Sequence, residues 1–157
     1  FRGSLNNVLE RFIGACNYFQ EEQFIRISGD SPLFDPSLVD KVVEINDELK
    51  FDLITNVAKR SYPKGQSIEL LTLNTLERLL HETLTEMEKE HVTLGIYNRL
   101  DKFKVYNFEE NLSDFSHIQL SVDTYQDFVK LEQLLKIEHS KSINKALFTW
   151  KDFVSHI

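Results

Sequence analysis

Cysteine is nearly absent from this sequence. The single one, Cys16, cannot form an internal disulfide and falls on an apolar helical stripe. A buried structural thiol in a reducing cytoplasm is the expectation. No apolar run approaches the ~20 residues that a membrane helix needs, and no signal peptide is visible. Basic residues are also short: Lys+Arg number 18 against 25 Asp+Glu, a formal net charge of −7. That balance argues against a general nucleic-acid binder, which needs a basic face. It leaves nucleotides open, because one local cluster of cations or a bound metal can hold phosphate. A Gly-x-Ser-x-Gly elbow and a P-loop are both missing, so hydrolase and P-loop kinase chemistry have no support. His81-Glu82-Thr83-Leu84-Thr85 fails as a zinc motif, since Thr85 stands where the second histidine is required. There is no repeat, low-complexity tract or linker.

What is present suits one α/β domain of 157 residues, 41% hydrophobic and 27% charged. Ser4 is a good N-cap for a first helix whose face carries Leu5, Val8, Leu9, Phe12, Ile13, Cys16 and Phe19. A strand is expected over about 23–28, with Phe24, Ile25 and Ile27 around Arg26. It stops at Gly29, where the backbone is free to turn, and presents Asp30. Asp35-Pro36 reads as an N-cap followed by proline at the first helical position, opening a helix over about 36–50 that includes Leu49. Further strands are expected at Phe51–Thr55, ending at Asn56, and at Ser67–Leu71, Phe103–Phe108 and Ile118–Val122. Helices are expected from an Asn74-Thr75-Leu76-Glu77 capping box, over Thr85–Tyr97, and from Thr124. A last helix is expected to start at Ser142 and to bury Ile143, Ala146, Leu147, Trp150 and Val154.

Two acids share one local grammar: Asp30 and Asp123 each end a strand just before a helix. If those strands are neighbours, the carboxylates converge at the carboxyl edge of the sheet, where open α/β folds bind ligands. Two oxygen ligands with room for water and phosphate suit Mg²⁺. For Asp123 a helix cap is an equal reading, since Thr-x-x-Asp follows it. For Asp35 the cap is preferred. The loop from Val57 to Gln66 holds Lys59, Arg60 and Lys64, and reads either as a solvated surface turn or as a mobile anion-gripping loop. His91 follows Glu86, Glu88 and Glu90; a lone histidine of this kind is more often packed than catalytic.

Seven segments then occur in a telling order: Arg2-Gly3-Ser4, Asn7 to Phe12, Arg26 to Leu33, Asp35-Pro36, Tyr62 to Gly65, Glu90 to Thr93, and Val122-Asp123-Thr124. Together they resemble the spore coat polysaccharide biosynthesis family of cytidylyltransferase-like proteins, relatives of the acylneuraminate and 3-deoxy-manno-octulosonate cytidylyltransferases. The resemblance runs from Phe1 to about Leu135. It implies a three-layer α/β sandwich with a mixed, mainly parallel sheet, similar to the glycosyltransferase A fold. It implies nucleotidyl transfer, with CMP passing from CTP to a sugar or sugar acid and pyrophosphate leaving. By the same resemblance Asp30 and Asp123 would bind Mg²⁺, and Asn56, Arg60, Tyr62, Lys64, Glu69 and His91 would contact the substrate. The relatives commonly pair, which makes a homodimer the candidate assembly.

The relatives begin with a strand and a glycine-rich basic loop around the triphosphate, and nothing here corresponds to it. Phe1, with no preceding methionine, matches a point inside their domain, so the expectation is an N-terminally truncated protein unable to hold CTP alone. Two other functions remain in view: a nucleotide-sugar-dependent glycosyltransferase, and a non-catalytic binding or assembly domain of a glycan pathway.

Overall fold

A computed structural model describes residues 1–48, 51–111, 113–141 and 148–157. The chain runs α1 (Val8–Phe19), β1 (Gln23–Ile27), α2 (Ser37–Glu48), β2 (Leu53–Thr55), β3 (Ile68–Thr72) and α3 (Leu73–Leu80). It continues with α4 (Glu86–Glu90), α5 (Leu94–Tyr97), β4 (Val105–Asn107), α6 (Tyr125–Lys141) and α7 (Trp150–Val154). The four strands form one mixed sheet in the order β1-β3-β2-β4. β3 is antiparallel to both β1 and β2, whereas β2 and β4 are parallel. Three strands therefore point one way and β3 runs against them.

Period-two alternation sends side chains to two separate cores, which makes the domain three-layered. Ile54, Ile68 and Leu70 pack with Leu38 and Val42 of α2, Leu131 and Leu134 of α6, and Trp150 and Phe153 of α7. Leu53 and Leu71 face the other way, against Leu9 of α1, Leu76 and Leu79 of α3, and Val92 and Ile96 around α5. Cys16 is buried on α1, as its stripe predicts.

Several boundaries differ from the expectations. Asn7, not Ser4, caps α1, its Oδ1 accepting from the Glu10 N–H, and Leu5 is exposed outside the helix. α3 is capped two residues before its proposed box, by the Thr72 side chain. The helix expected over Thr85–Tyr97 is two short helices, α4 ending at Glu90 with His91 as its C-cap and α5 starting after its N-cap Thr93. No strand forms at Ile118–Val122: only Gln119 makes a bridge, with Lys64, since this segment pairs with a loop rather than with the sheet. Leu49, Ser142, Ile143, Ala146 and Leu147 lie outside the described residues.

Candidate functional site

Three connectors meet beyond the carboxyl ends of β1 and β2, and buried polar groups lock them together. The fully buried Gln66 donates from Nε2 to the Leu33 carbonyl at 2.8 Å and accepts from the Asp35 N–H at 2.9 Å. This ties the turn after β1 to the loop after β2. That loop is pinned in turn to the 118–121 segment, where Lys64 N donates to Ile118 O and Leu120 N to Lys64 O, both at 2.9 Å. The triangle closes where Val122 N donates to the Asp30 carbonyl at 2.8 Å. The 57–66 loop is anchored through its second half, where Ser61, Tyr62, Pro63, Gly65 and Gln66 are buried, while Ala58, Lys59 and Lys64 are exposed.

The closing bond places Asp30 one residue from the backbone that carries Asp123. Both acids are exposed. Asp30 Oδ1 accepts from the Ser31 hydroxyl at 2.9 Å, and Asp123 Oδ2 accepts from Gln119 Nε2 at 2.7 Å. The cap that competed for Asp123 is supplied by its neighbours. Asp127 Oδ2 accepts from the Thr124 N–H and hydroxyl, both at 2.8 Å, and the Thr124 hydroxyl accepts from Asp127 N. Those bonds hold the Asp127 carboxyl below the usual carboxylate range, the Thr124 hydroxyl contributing most. Asp123 thus keeps its carboxylate free of the helix end. Asp35 does act as a cap, its Oδ1 accepting from Ser37 N at 2.9 Å while Oδ2 accepts from Trp150 N at 3.2 Å.

The other singled-out residues divide between two faces. Tyr62 lies in the α2–α7 core, 2% exposed, with its hydroxyl accepting from Lys41 Nζ and its ring against Trp150. Asn56 is fully buried and bridges backbone: Nδ2 donates to Gln66 O at 2.7 Å and Oδ1 accepts from Ile68 N at 3.1 Å. Both side chains are spent on the scaffold. Lys64 is exposed. Arg60 Nη2 donates to Ser67 Oγ at 3.0 Å, and its Nη1 is buried without a partner.

Glu69 and His91 share a cleft of about 250 Å³ with Arg26, Ser67, Thr93 and Tyr97. Glu69, 2% exposed, accepts from Arg26 Nη1 on Oε2 and from the Tyr97 hydroxyl on Oε1 at 2.6 Å. Burial, then the adjacent Glu69 charge, push the Tyr97 phenol well above its ordinary range. Arg26, Tyr97 and Gln119 were not singled out from sequence. The signal for Arg26 was a cation inside an otherwise apolar strand; Tyr97 and Gln119 carried no local signal.

The protein is a three-layer α/β domain with two exposed acids on adjoining connectors and a polar cleft lined by residues of β1 and β3. The chain belongs to the cytidylyltransferase family, whose profile matches residues 1–149. It is 34% identical over 156 residues to MJ1063 of Methanocaldococcus jannaschii, an uncharacterized protein, covering 98% of this chain and 62% of that one. It is 31% identical over 139 residues to the spore coat polysaccharide biosynthesis protein SpsF of Bacillus subtilis, covering 85% of this chain and 55% of SpsF. A cytidylyltransferase structure from Leptospira borgpetersenii superposes with a TM-score of 0.90 at 26% identity, over 100% of this chain and 64% of that one. The chain thus spans less than two thirds of the length of these relatives.

Proposed function

We propose that this domain serves a nucleotidyl transfer in which CMP passes from CTP to a sugar or sugar acid, for surface polysaccharide or glycan synthesis. Asp30 and Asp123 would hold Mg²⁺. The observation that carries this reading is the Val122–Asp30 backbone bond, which joins two turns whose exposed acids are not consumed by caps. Among the described residues no group of three or more His, Cys, Asp or Glu side chains could hold a metal. Asp30 and Asp123 would offer two hard carboxylates, a donor set that suits an ion taking its remaining ligands from phosphate and water. Bound there, Mg²⁺ would neutralise charge on the phosphate oxygens.

The chain's own residues would then orient the partners. Gln119 fixes the Asp123 carboxylate, Ser31 fixes that of Asp30, and the Gln66 and Lys64 bonds keep the two turns in register. The cleft around Arg26, Glu69 and His91 would receive the acceptor. No side chain stands out as a general base, so rate enhancement would come mainly from positioning and charge. A reducing cytoplasm would suit the free, buried Cys16.

Isothermal calorimetry of CTP with Mg²⁺ tests the reading, on this chain and on the complete gene product beside its Asp30→Asn variant. The complete product should bind CTP in a Mg²⁺-dependent way, and the substitution should weaken binding at least roughly ten-fold, the loss of about 1.4 kcal/mol. No binding by the complete product refutes the CTP assignment.

A further inference from the structure

In the Arg26 cleft every hydrogen-bonding direction of the deep polar residues can be followed. Val57 N donates to Thr55 Oγ1 at 3.0 Å. The single Tyr97 hydroxyl proton goes to the Glu69 carboxylate, so in the 3.1 Å contact between Thr55 and Tyr97 the threonine must be the donor. The chain therefore runs one way, from the Val57 amide through Thr55 and Tyr97 to Glu69 Oε1, while Arg26 Nη1 fills Oε2. Glu69 is the sink of both arms, is 2% exposed, and has each of its two oxygens already engaged by a donor of the fold.

What remains unspent is donor capacity. Arg26 uses one of its three nitrogens on Glu69, and its side chain keeps 30% of its surface open. Ser67 Oγ accepts from Arg60 Nη2, so its own proton is free, and behind it Arg60 Nη1 is buried with no partner. A guanidinium held by a fixed carboxylate presents its remaining N–H groups as a rigid fork, matched to planar oxygen acceptors.

We propose that Arg26 is the specificity-determining residue of this cleft, binding an oxygen acceptor such as a carboxylate on the incoming sugar, and that Glu69 is a positioning residue that aims Arg26 rather than a substrate contact. The acceptor's part in a transfer rests on the transferase reading above; the binding itself does not. Tyr97 and Thr55 keep the Glu69 carboxylate from rotating away. Arg26→Lys keeps the charge but loses the fork. Glu69→Gln keeps the shape but loses the counter-charge.

The test is an NMR titration of this chain with sodium glucuronate as the carboxylate-bearing probe and glucose as the neutral control. The readout is the Arg26 Nε–H signal, assigned by its loss in Arg26→Lys. Glucuronate should shift that signal saturably, while equal glucose should not. Arg26→Lys, followed at the Thr93 amide, should weaken glucuronate binding at least ten-fold. Glu69→Gln should broaden or move the Arg26 signal before any ligand is added and weaken binding several-fold. Should Glu69→Gln fail to fold, Tyr97→Phe, which removes only one arm, should still move the Arg26 signal and weaken binding. An absent or glucose-matched shift overturns the proposal, as does binding indifferent to Arg26→Lys. An Arg26 signal unmoved in both Glu69→Gln and Tyr97→Phe overturns the positioning role. No arm uses CTP, so failure of the cytidylyltransferase reading would show in the calorimetry and not here.

Discussion

Adding one methyl group at Gly65 should damage the site more than adding one at Gly29, although Gly29 sits beside a metal-candidate acid. Gly65 has φ +90°, and a Cβ there would lie 2.5 Å from both the carbonyl carbon and oxygen of Leu120 and 2.8 Å from Ser121 N. These are backbone atoms, so no side-chain rotation relieves the clash. Forcing a left-handed conformation on an L-residue costs about 1–2 kcal/mol. Pushing the segment away also strains the two bonds between Lys64 and Ile118 or Leu120, at about 0.5–1.5 kcal/mol each. The expected loss for Gly65→Ala is about 2–5 kcal/mol, a large part of a typical domain's stability. With a urea dependence of about 1–3 kcal/mol/M, the unfolding midpoint should fall by roughly 1 M or more. At Gly29 a Cβ meets nothing within 4 Å and φ is not positive. Gly29→Ala should therefore be neutral or stabilise by up to about 1 kcal/mol, through the unfolded chain. Because the displaced segment leads to Val122 and Asp123, Gly65→Ala should also weaken Mg²⁺ binding where Gly29→Ala does not. Equal urea midpoints for the two variants would refute the reasoning.

Three further outcomes follow from the same bonds. Asp30→Asn and Asp123→Asn, at exposed positions, should each leave stability within about 0.5 kcal/mol of wild type, so a lost Mg²⁺ response is not unfolding; a urea curve beside a Mg²⁺ titration checks this. The Glu88 carboxyl is held down to about 2, first by Arg99, then by the Thr85 amide and Asn98. A carboxylate lowered in the folded state stabilises fully above its unfolded value of 4.5 and loses that contribution as pH falls toward 2. Acid unfolding of Glu88→Gln should accordingly show a shallower loss between those limits; a superimposable stability–pH curve contradicts the assignment. Burial pushes the Cys16 thiol up. The native protein at pH 8 should react with a disulfide reagent more slowly than the urea-unfolded chain, and matching rates would count against a closed α1 face.

How far the sequence could be read depended on whether the cause of a feature was local. α1, β1, β3 and α6 follow from periodicity, and Asp30 stands out as a candidate because a strand end, a turn and an acid lie within a few residues. Asp123 stands out by the same grammar, although its premise differs from the structure. No strand leads to it, and it reaches Asp30 through one backbone bond between connectors. The two glycines make the physical point sharply. A Gly-Asp turn advertises backbone freedom that Gly29 does not use, whereas Gly65 needs it because Leu120, 55 residues on, leaves no room for a Cβ. The partners of Glu69 are not local in sequence. Arg26 lies 43 residues before it and Tyr97 28 residues after it, and only the sheet register and the α4–α5 break bring the three together. Non-local satisfaction of buried polar groups is what local pattern does not encode. It also decides which singled-out side chains are free to meet a ligand. Asn56 and Tyr62 are consumed by the fold, Asp30 and Asp123 are left open, and the charge of Glu69 is spent on Arg26, whose remaining donors face the cleft.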